Sequence, residues 1–150
     1  MNMLRIDPVT RPDRGEVRRL LACLDERYPA GLDWLERRLD DVEVGRAWAW
    51  RAGSGRTALG FAITTPKGKR CIKLCTLYVA PAARGFGIGR GLLQAVMDEF
   101  RKSEVESAFV TVDEGDRETQ GFFAAHSFSR LNDVRRAYNE RFDIVYASSS

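Results

Sequence analysis

The chain has 150 residues, of which 44% are hydrophobic and 30% charged, and its formal net charge is +3. That length favours one domain able to bury roughly two-thirds of its unfolded surface, so neither disulfides nor metals are needed to hold it together. No apolar run approaches the ~20 residues of a membrane span, and a charge this small gives no footing for nucleic-acid binding.

The N-terminal residues, Met1-Asn2-Met3-Leu4-Arg5-Ile6-Asp7, lack the apolar stretch and small-residue cleavage site of a secretory signal, so the cytoplasm is the expected location. Cys23, Cys71 and Cys75 are an odd and sparse set that reads as reduced thiols. With His126 the sole histidine, Cys71 and Cys75 read as strand residues and no metal site is expected.

Residues 3 to 9 are read as a first strand. Asp13 and Glu16 then have the spacing of a capping box, opening a helix that carries Val17, Leu20, Leu21 and Leu24 and ends at Pro29. A second helix places Leu32, Leu35, Leu39 and Val42 on one face and Glu36, Arg37 and Arg38 on the other, stopping before Gly45. Trp48 and Trp50 alternate as in a strand and read as core or sheet-face residues. Gly53-Ser54-Gly55 marks a hairpin, Thr57 to Thr65 returns, and Pro66-Lys67-Gly68 turns the chain again.

Arg70 to Val79, rich in Ile, Leu, Val, Tyr and Thr, reads as a buried central strand. Leu92, Leu93, Val96, Met97 and Phe100 form one apolar face of the helix beyond it. Ala108 to Val112 is a further strand, Asp116 caps a helix reaching His126, and Ala137 to Tyr146 alternates through Tyr138, Phe142, Ile144 and Tyr146 as a final strand. Residues 133 to 142, with Arg135, Arg136 and Arg141, fit a solvated hairpin or the edge of a homodimer. Residues 1–147 are read as one domain and 148–150 as a disordered tail. This order of elements predicts an α+β sheet with one βαβ crossover at its functional edge.

Between the central strand and its helix lies Arg84-Gly85-Phe86-Gly87-Ile88-Gly89-Arg90-Gly91. Glycines let a backbone approach a ligand closely, and the free N–H groups of a helix start face an anion, so the segment reads as a phosphate cradle flanked by two arginines. Register decides which phosphate. A Walker loop needs Gly-Lys-Ser/Thr, which is missing, and Gly-x-Gly-x-x-Gly meets Arg90 or Leu92 where its last glycine belongs. Arg84-Gly85-Phe86-Gly87 matches the start of an RNA-binding RNP1 pattern, but that pattern must continue as a strand, and Ile88 to Val96 continues as a helix.

What remains is Arg84-x-x-Gly87-x-Gly89, preceded by Leu77-Tyr78-Val79-Ala80-Pro81 and followed by Leu92-Leu93. This pattern resembles the acetyl-CoA-dependent N-acetyltransferase superfamily, GNAT, whose signature is Gln/Arg-x-x-Gly-x-Gly/Ala between a strand and a helix. The resemblance follows the order of elements through the whole chain, with its specific residues mainly in 72 to 97. It implies a mixed, mostly antiparallel sheet of six to seven strands flanked by about four helices. It further implies that Leu77, Tyr78 and Val79 line the pantetheine arm of acetyl-CoA, and that Arg84, Gly85, Phe86, Gly87, Ile88, Gly89 and Arg90 hold the pyrophosphate. Thr119, Phe122 and Phe123, in the following helix, complete the donor site by the same resemblance.

The implied reaction moves an acetyl group from acetyl-CoA to a primary amine of a small molecule or protein, by direct attack with both substrates bound. An amine must be neutral to attack. Near pH 7 this costs about 4–5 kcal/mol for a lysine side chain and about 1 kcal/mol for an α-amine. Where family members often place a glutamate base, this chain has Lys73; where they place a tyrosine proton donor, it has Phe123. Asp113 and Glu114 are therefore the candidate carboxylates, weighed against a simple turn before Gly115. Tyr78 is the candidate proton donor, ahead of Tyr138 and His126. A domain that binds acyl-CoA without transferring it is the alternative reading.

Overall fold

Among the described residues, seven strands and five helices follow one another: β1 (Leu4–Val9), α1 (Arg14–Leu20), α2 (Leu24–Arg27), α3 (Gly31–Glu43), β2 (Trp48–Ser54), β3 (Thr57–Pro66), β4 (Cys71–Val79), α4 (Ile88–Arg101), β5 (Ser107–Asp113), α5 (Arg117–Ala125), β6 (Ser129–Arg136) and β7 (Phe142–Ser149). The computed structural model describes residues 3–27, 30–136 and 142–149. The strands form one sheet in the order β1-β2-β3-β4-β5-β7-β6, in which only β4 and β5 run parallel. That single parallel pair is the βαβ crossover expected from the sequence, with α4 as its connection.

Alternating strand residues separate two cores. Ala49, Phe61 and Ile63 join Val17, Leu21, Leu35, Leu39 and Val42 under α1 and α3. Trp50, Ala52, Ala62, Ile72 and Leu74 join Leu92, Leu93, Val96 and Phe100 of α4 on the other face, which continues through Val110, Val112 and Phe123. Trp48 and Trp50 both sit edge-on to Phe100, at 5.5 Å and 6.0 Å; Trp50 is buried and Trp48 lies at the rim. No helix among the described residues is long and apolar enough to cross a membrane.

Asp13 Oδ1 accepts the Glu16 N–H at 3.1 Å, half of the expected capping box. The Glu16 carboxylate instead takes Arg51 Nε at 2.7 Å, because an arginine fork outcompetes a neutral amide for a carboxylate. The helix expected to run to Pro29 breaks into α1 and α2; Pro29 lies outside the described residues. The hairpin turn falls on Gly55 and Arg56, since β2 continues through Ser54.

The last part of the sheet differs most from expectation. One strand was expected over Ala137 to Tyr146; β7 overlaps its end and β6 precedes it, while Ala137 to Arg141, Tyr138 included, lies outside the described residues. The edge strand β6, Ser-Arg-Leu-Asn-Asp-Val-Arg-Arg, has no alternation to betray it; its pairing with β7 slips between Arg130 and Val134. Nor is Ser148 part of a frayed tail: it is buried and pairs with Ala108, as Ser149 pairs with Ser107.

Candidate functional site

The β4–β5 ladder has only three rungs, Cys71 to Ser107, Ile72 to Ala108 and Lys73 to Phe109. Beyond Lys73, β4 stays on β3 while β5 stays on β7, so the two strands part and leave a gap. An irregularity in the β3–β4 register sits at the parting point: Ile63 pairs with Thr76 and Thr64 with Leu74, leaving Cys75 as an extra residue. Such a bulge reverses the alternation after it. Ile72, Leu74, Leu77 and Val79 therefore all serve the α4 face, while Cys75 and Tyr78 pack toward α1 and α3. Cys75 Sγ lies 3.1 Å from Thr65 Oγ1.

Register also fixes where the main-chain groups point. Ala80 N–H donates to Leu59 C=O at 2.8 Å, one step beyond the Val79–Gly60 pair. Hydrogen-bonded and non-bonded pairs alternate in an antiparallel ladder, so Tyr78 spends its main-chain groups on Phe61 of β3. Those of Leu77 and Val79 turn the other way, into the gap. Of the three residues expected to line an extended arm, two have the required backbone direction; Tyr78 does not.

At the mouth of the gap the chain makes a short 3-10 turn at Pro81–Ala83 and enters α4 through the glycine loop. Gly85 and Gly87 have φ of 88° and 82°, a left-handed region costly for residues with a Cβ, and a Cβ at either would meet nothing within 4 Å. The need for glycine there is conformational. Gly87 is the N-cap of α4 and brings no side chain to cap it, so the first-turn N–H groups are left for another acceptor. Gly91 is different: its N–H donates to Gly87 C=O at 2.9 Å, and a Cβ on it would stand 2.6 Å from Ile6 Cδ1, so it lets α4 lie close to β1.

Phe86 is 79% exposed and Arg90 is exposed, whereas Ile88 is buried under the helix. Arg84 folds back onto its own strand: Nε donates to Val79 C=O at 3.0 Å, and Cζ lies 5.4 Å from the Tyr78 ring centroid. Nothing in the sequence points to that contact.

Along α5 two neighbours that were both expected at the donor site point different ways. Phe123 is only 2% exposed and packs at 5.2 Å on Phe128, inside the core. Phe122 is the half-buried ring that approaches the loop, its edge 3.5 Å from where a Cβ on Gly89 would sit. The Thr119 hydroxyl is engaged at 2.7 Å by Asp116 Oδ2 as part of the helix cap. His126 Nδ1 lies 2.6 Å from Phe122 C=O and its ring 4.5 Å from Phe122, closing the helix.

The candidate carboxylates sit at a turn. Asp113 Oδ1 accepts the Gly115 N–H at 2.7 Å, and Gln120 Nε2 donates to the carbonyls of Asp113 and Glu114 at 3.1 and 3.0 Å. Gln120 Oε1 in turn accepts the Tyr146 hydroxyl at 3.3 Å. Asp113 and Glu114 thus stand at the end of β5 where they were expected, with the Asp113 carboxylate holding the turn and Glu114 exposed.

The geometry is a parted strand pair with main-chain groups facing the gap and an uncapped helix start at its mouth. Residues 15–128 match the sequence profile of the Acetyltransferase (GNAT) family. No curated protein matches the chain in sequence. Among solved structures, the chain is similar to a protein assigned to the GNAT family from Desulfovibrio desulfuricans, with 20% identity, a TM-score of 0.86, and coverage of 98% of this chain and 99% of that one. It is also similar to the ribosomal-protein-S18-alanine N-acetyltransferase of Escherichia coli, with 19% identity, a TM-score of 0.79, and coverage of 98% and 94%. For the PaiA N-acetyltransferase of Thermoplasma acidophilum, solved with coenzyme A, identity is 14%, the TM-score 0.77 and coverage 99% of both chains. Acetyl-CoA is the co-substrate typical of the matched family, and with its profile covering most of the sequence and its fold covering nearly all of it, the chain belongs to the GNAT acetyltransferase family.

Proposed function

We propose that this protein transfers an acetyl group from acetyl-CoA to a primary amine by direct attack of the neutral amine on the thioester while both substrates are bound. The gap between β4 and β5 beyond Lys73 is the observation that carries the reading. Its exposed main-chain groups suit an extended, amide-bearing arm, and the uncapped α4 start suits the phosphates. Each oriented contact at a helix start is worth about 0.3–2 kcal/mol, so the amides of Ile88, Gly89 and Arg90 would act together with the Arg90 charge. Leu77 would pair with the arm through its main chain, and Phe122 would pack beside it. Acetyl-CoA supplies the activated acyl group; the chain's own residues hold and align the reactants.

Positioning can carry most of the rate in such a site. Orientation supplies roughly 7–11 kcal/mol, against a factor of about 10²–10⁴ from a general acid or base. Tyr78 would serve the departing sulfur, and Asp113 or Glu114, through water, the attacking amine. An α-amine asks less of such a base than a lysine does. Three unpaired thiols, Cys23, Cys71 and Cys75, suit a cytoplasmic location.

The test is thiol release from acetyl-CoA with a panel of amines that includes peptide N-termini, lysine peptides and polyamines. Turnover on at least one acceptor is expected, and none on any would overturn the reading. One observation favours the alternative of a binding domain, namely the apolar, buried Phe123 where the family resemblance implies a proton donor. Phe123→Tyr separates the two. A marked gain in turnover would mark an impaired enzyme, whereas tight CoA binding with no turnover in either form would mark a binding domain.

A further inference from the structure

Arg84 is the first residue of the glycine signature, yet its guanidinium is occupied by the strand behind it. Nε donates to the Val79 carbonyl at 3.0 Å, and the planar group lies over the Tyr78 ring with Cζ 5.4 Å from the centroid. Those two neighbours face opposite ways. Val79 belongs to the α4 side, its Cγ2 lying 3.6 Å from where a Cβ on Gly89 would sit, while Tyr78 packs on the α1–α3 side. The β3–β4 register turns the Val79 carbonyl into the gap, where no strand partners it. One side chain thus engages, at the end of one strand, both the main-chain acceptor that faces the gap and the ring on the α1–α3 face. Arg90, two residues into α4, is exposed and stands beside the first-turn amides.

We propose that Arg84 is a positioning residue that acts on the strand and not on phosphate: it fixes the last gap-facing carbonyl of β4 and the ring of Tyr78, and Arg90 supplies the loop's charge to the donor. The proposal rests on the reading that the gap holds acetyl-CoA. It follows that the pantetheine arm finds the Val79 carbonyl already taken and pairs with Leu77. Arg84 then acts at the thioester end of the donor, and its replacement is felt by any ligand with the arm, whether or not that ligand carries phosphate.

Two ligands and three variants separate strand from phosphate. CoA and pantetheine, the second without phosphates, are titrated by NMR into wild type, Arg84→Gln, Arg84→Lys and Arg90→Gln at low and high salt. Arg84→Gln weakens both ligands by the same factor, roughly tenfold, and leaves the salt dependence of CoA binding as in wild type. Arg84→Lys, which keeps the charge but loses Nε and the planar face, is as weak as Arg84→Gln. Arg90→Gln weakens CoA alone and flattens its salt dependence. The proposal is overturned if Arg84→Gln spares pantetheine, if it flattens the salt dependence of CoA, or if Arg84→Lys restores CoA binding. Failure of the underlying reading looks different, since wild type would then bind neither ligand. Because the Arg84 side chain is exposed, the urea midpoint of each variant stays near wild type, and a shared fall in affinity is not a loss of fold.

Discussion

At Gly87 one torsion angle determines whether α4 can begin where it does. Its φ of 82° is open to glycine and tolerated by asparagine, while alanine there costs about 1–2 kcal/mol, with no steric clash to add because a Cβ would meet nothing within 4 Å. Gly87→Ala should therefore lower stability in urea by about that amount, and Gly87→Asn by distinctly less. Gly91→Ala should also destabilise, but through Ile6, and there Ile6→Val on the same background should recover part of the loss. If Asn at position 87 proves as costly as Ala, the φ argument fails. The glycine pattern was readable in the sequence because φ > 0 and close approach admit few alternatives. The direction of Arg84 was not readable, because a flexible side chain chooses between partners only once the fold has placed them.

Among the elements, α1 and α3 are fastened by charge above their shared apolar face. Arg14 reaches Glu36 and Asp40 at 2.7 Å and Glu43 at 3.1 Å, and Arg18 reaches Glu36 at 2.9 Å. The Arg18 hydrogen bond first, and the Arg14 bond second, hold the Glu36 carboxyl below its ordinary value of 4.5. A carboxyl lowered in the folded state stabilises it above the unfolded pKa and ceases to do so as pH falls through the folded one. Wild type should accordingly lose urea resistance below about pH 4.5, and Glu36→Gln should begin weaker at pH 7 and show a shallower fall. High salt should narrow the difference, since the cluster is partly exposed. A variant with the same pH profile as wild type would show that the network contributes nothing measurable. The helix faces behind this network were legible as leucine spacing, and so were β2 to β5. Two features were not: the bulge at Cys75, which moves Tyr78 to the opposite face without changing the composition of the strand, and β6, an edge strand whose sequence does not alternate apolar with polar residues.

Across the whole molecule, the sheet is continuous at its base and divided at its top. Two groups of helices clamp it from opposite faces, and the division falls where the glycine loop begins. A ligand that fills the division restores the hydrogen-bond partners the parting removed, so its binding should be written into the backbone amides with a period of two. In the free protein the Tyr78 amide, turned to β3, should exchange slowly, and the Leu77 amide, turned to the gap, quickly. Saturating CoA should protect Leu77, together with Ile88, Gly89 and Arg90 at the start of α4, and leave Tyr78 as it was. At a hundred times its dissociation constant the ligand adds about 2.7 kcal/mol to the folded state, which for a chain of this length raises Tm by roughly 5–10 °C. Hydrogen exchange resolved by residue, with and without CoA, measures the pattern directly. Uniform protection along Leu77, Tyr78 and Val79, or protection confined to the loop, would mean that the arm does not run along the edge of β4, and the alternation of main-chain groups would then have no part in holding the donor.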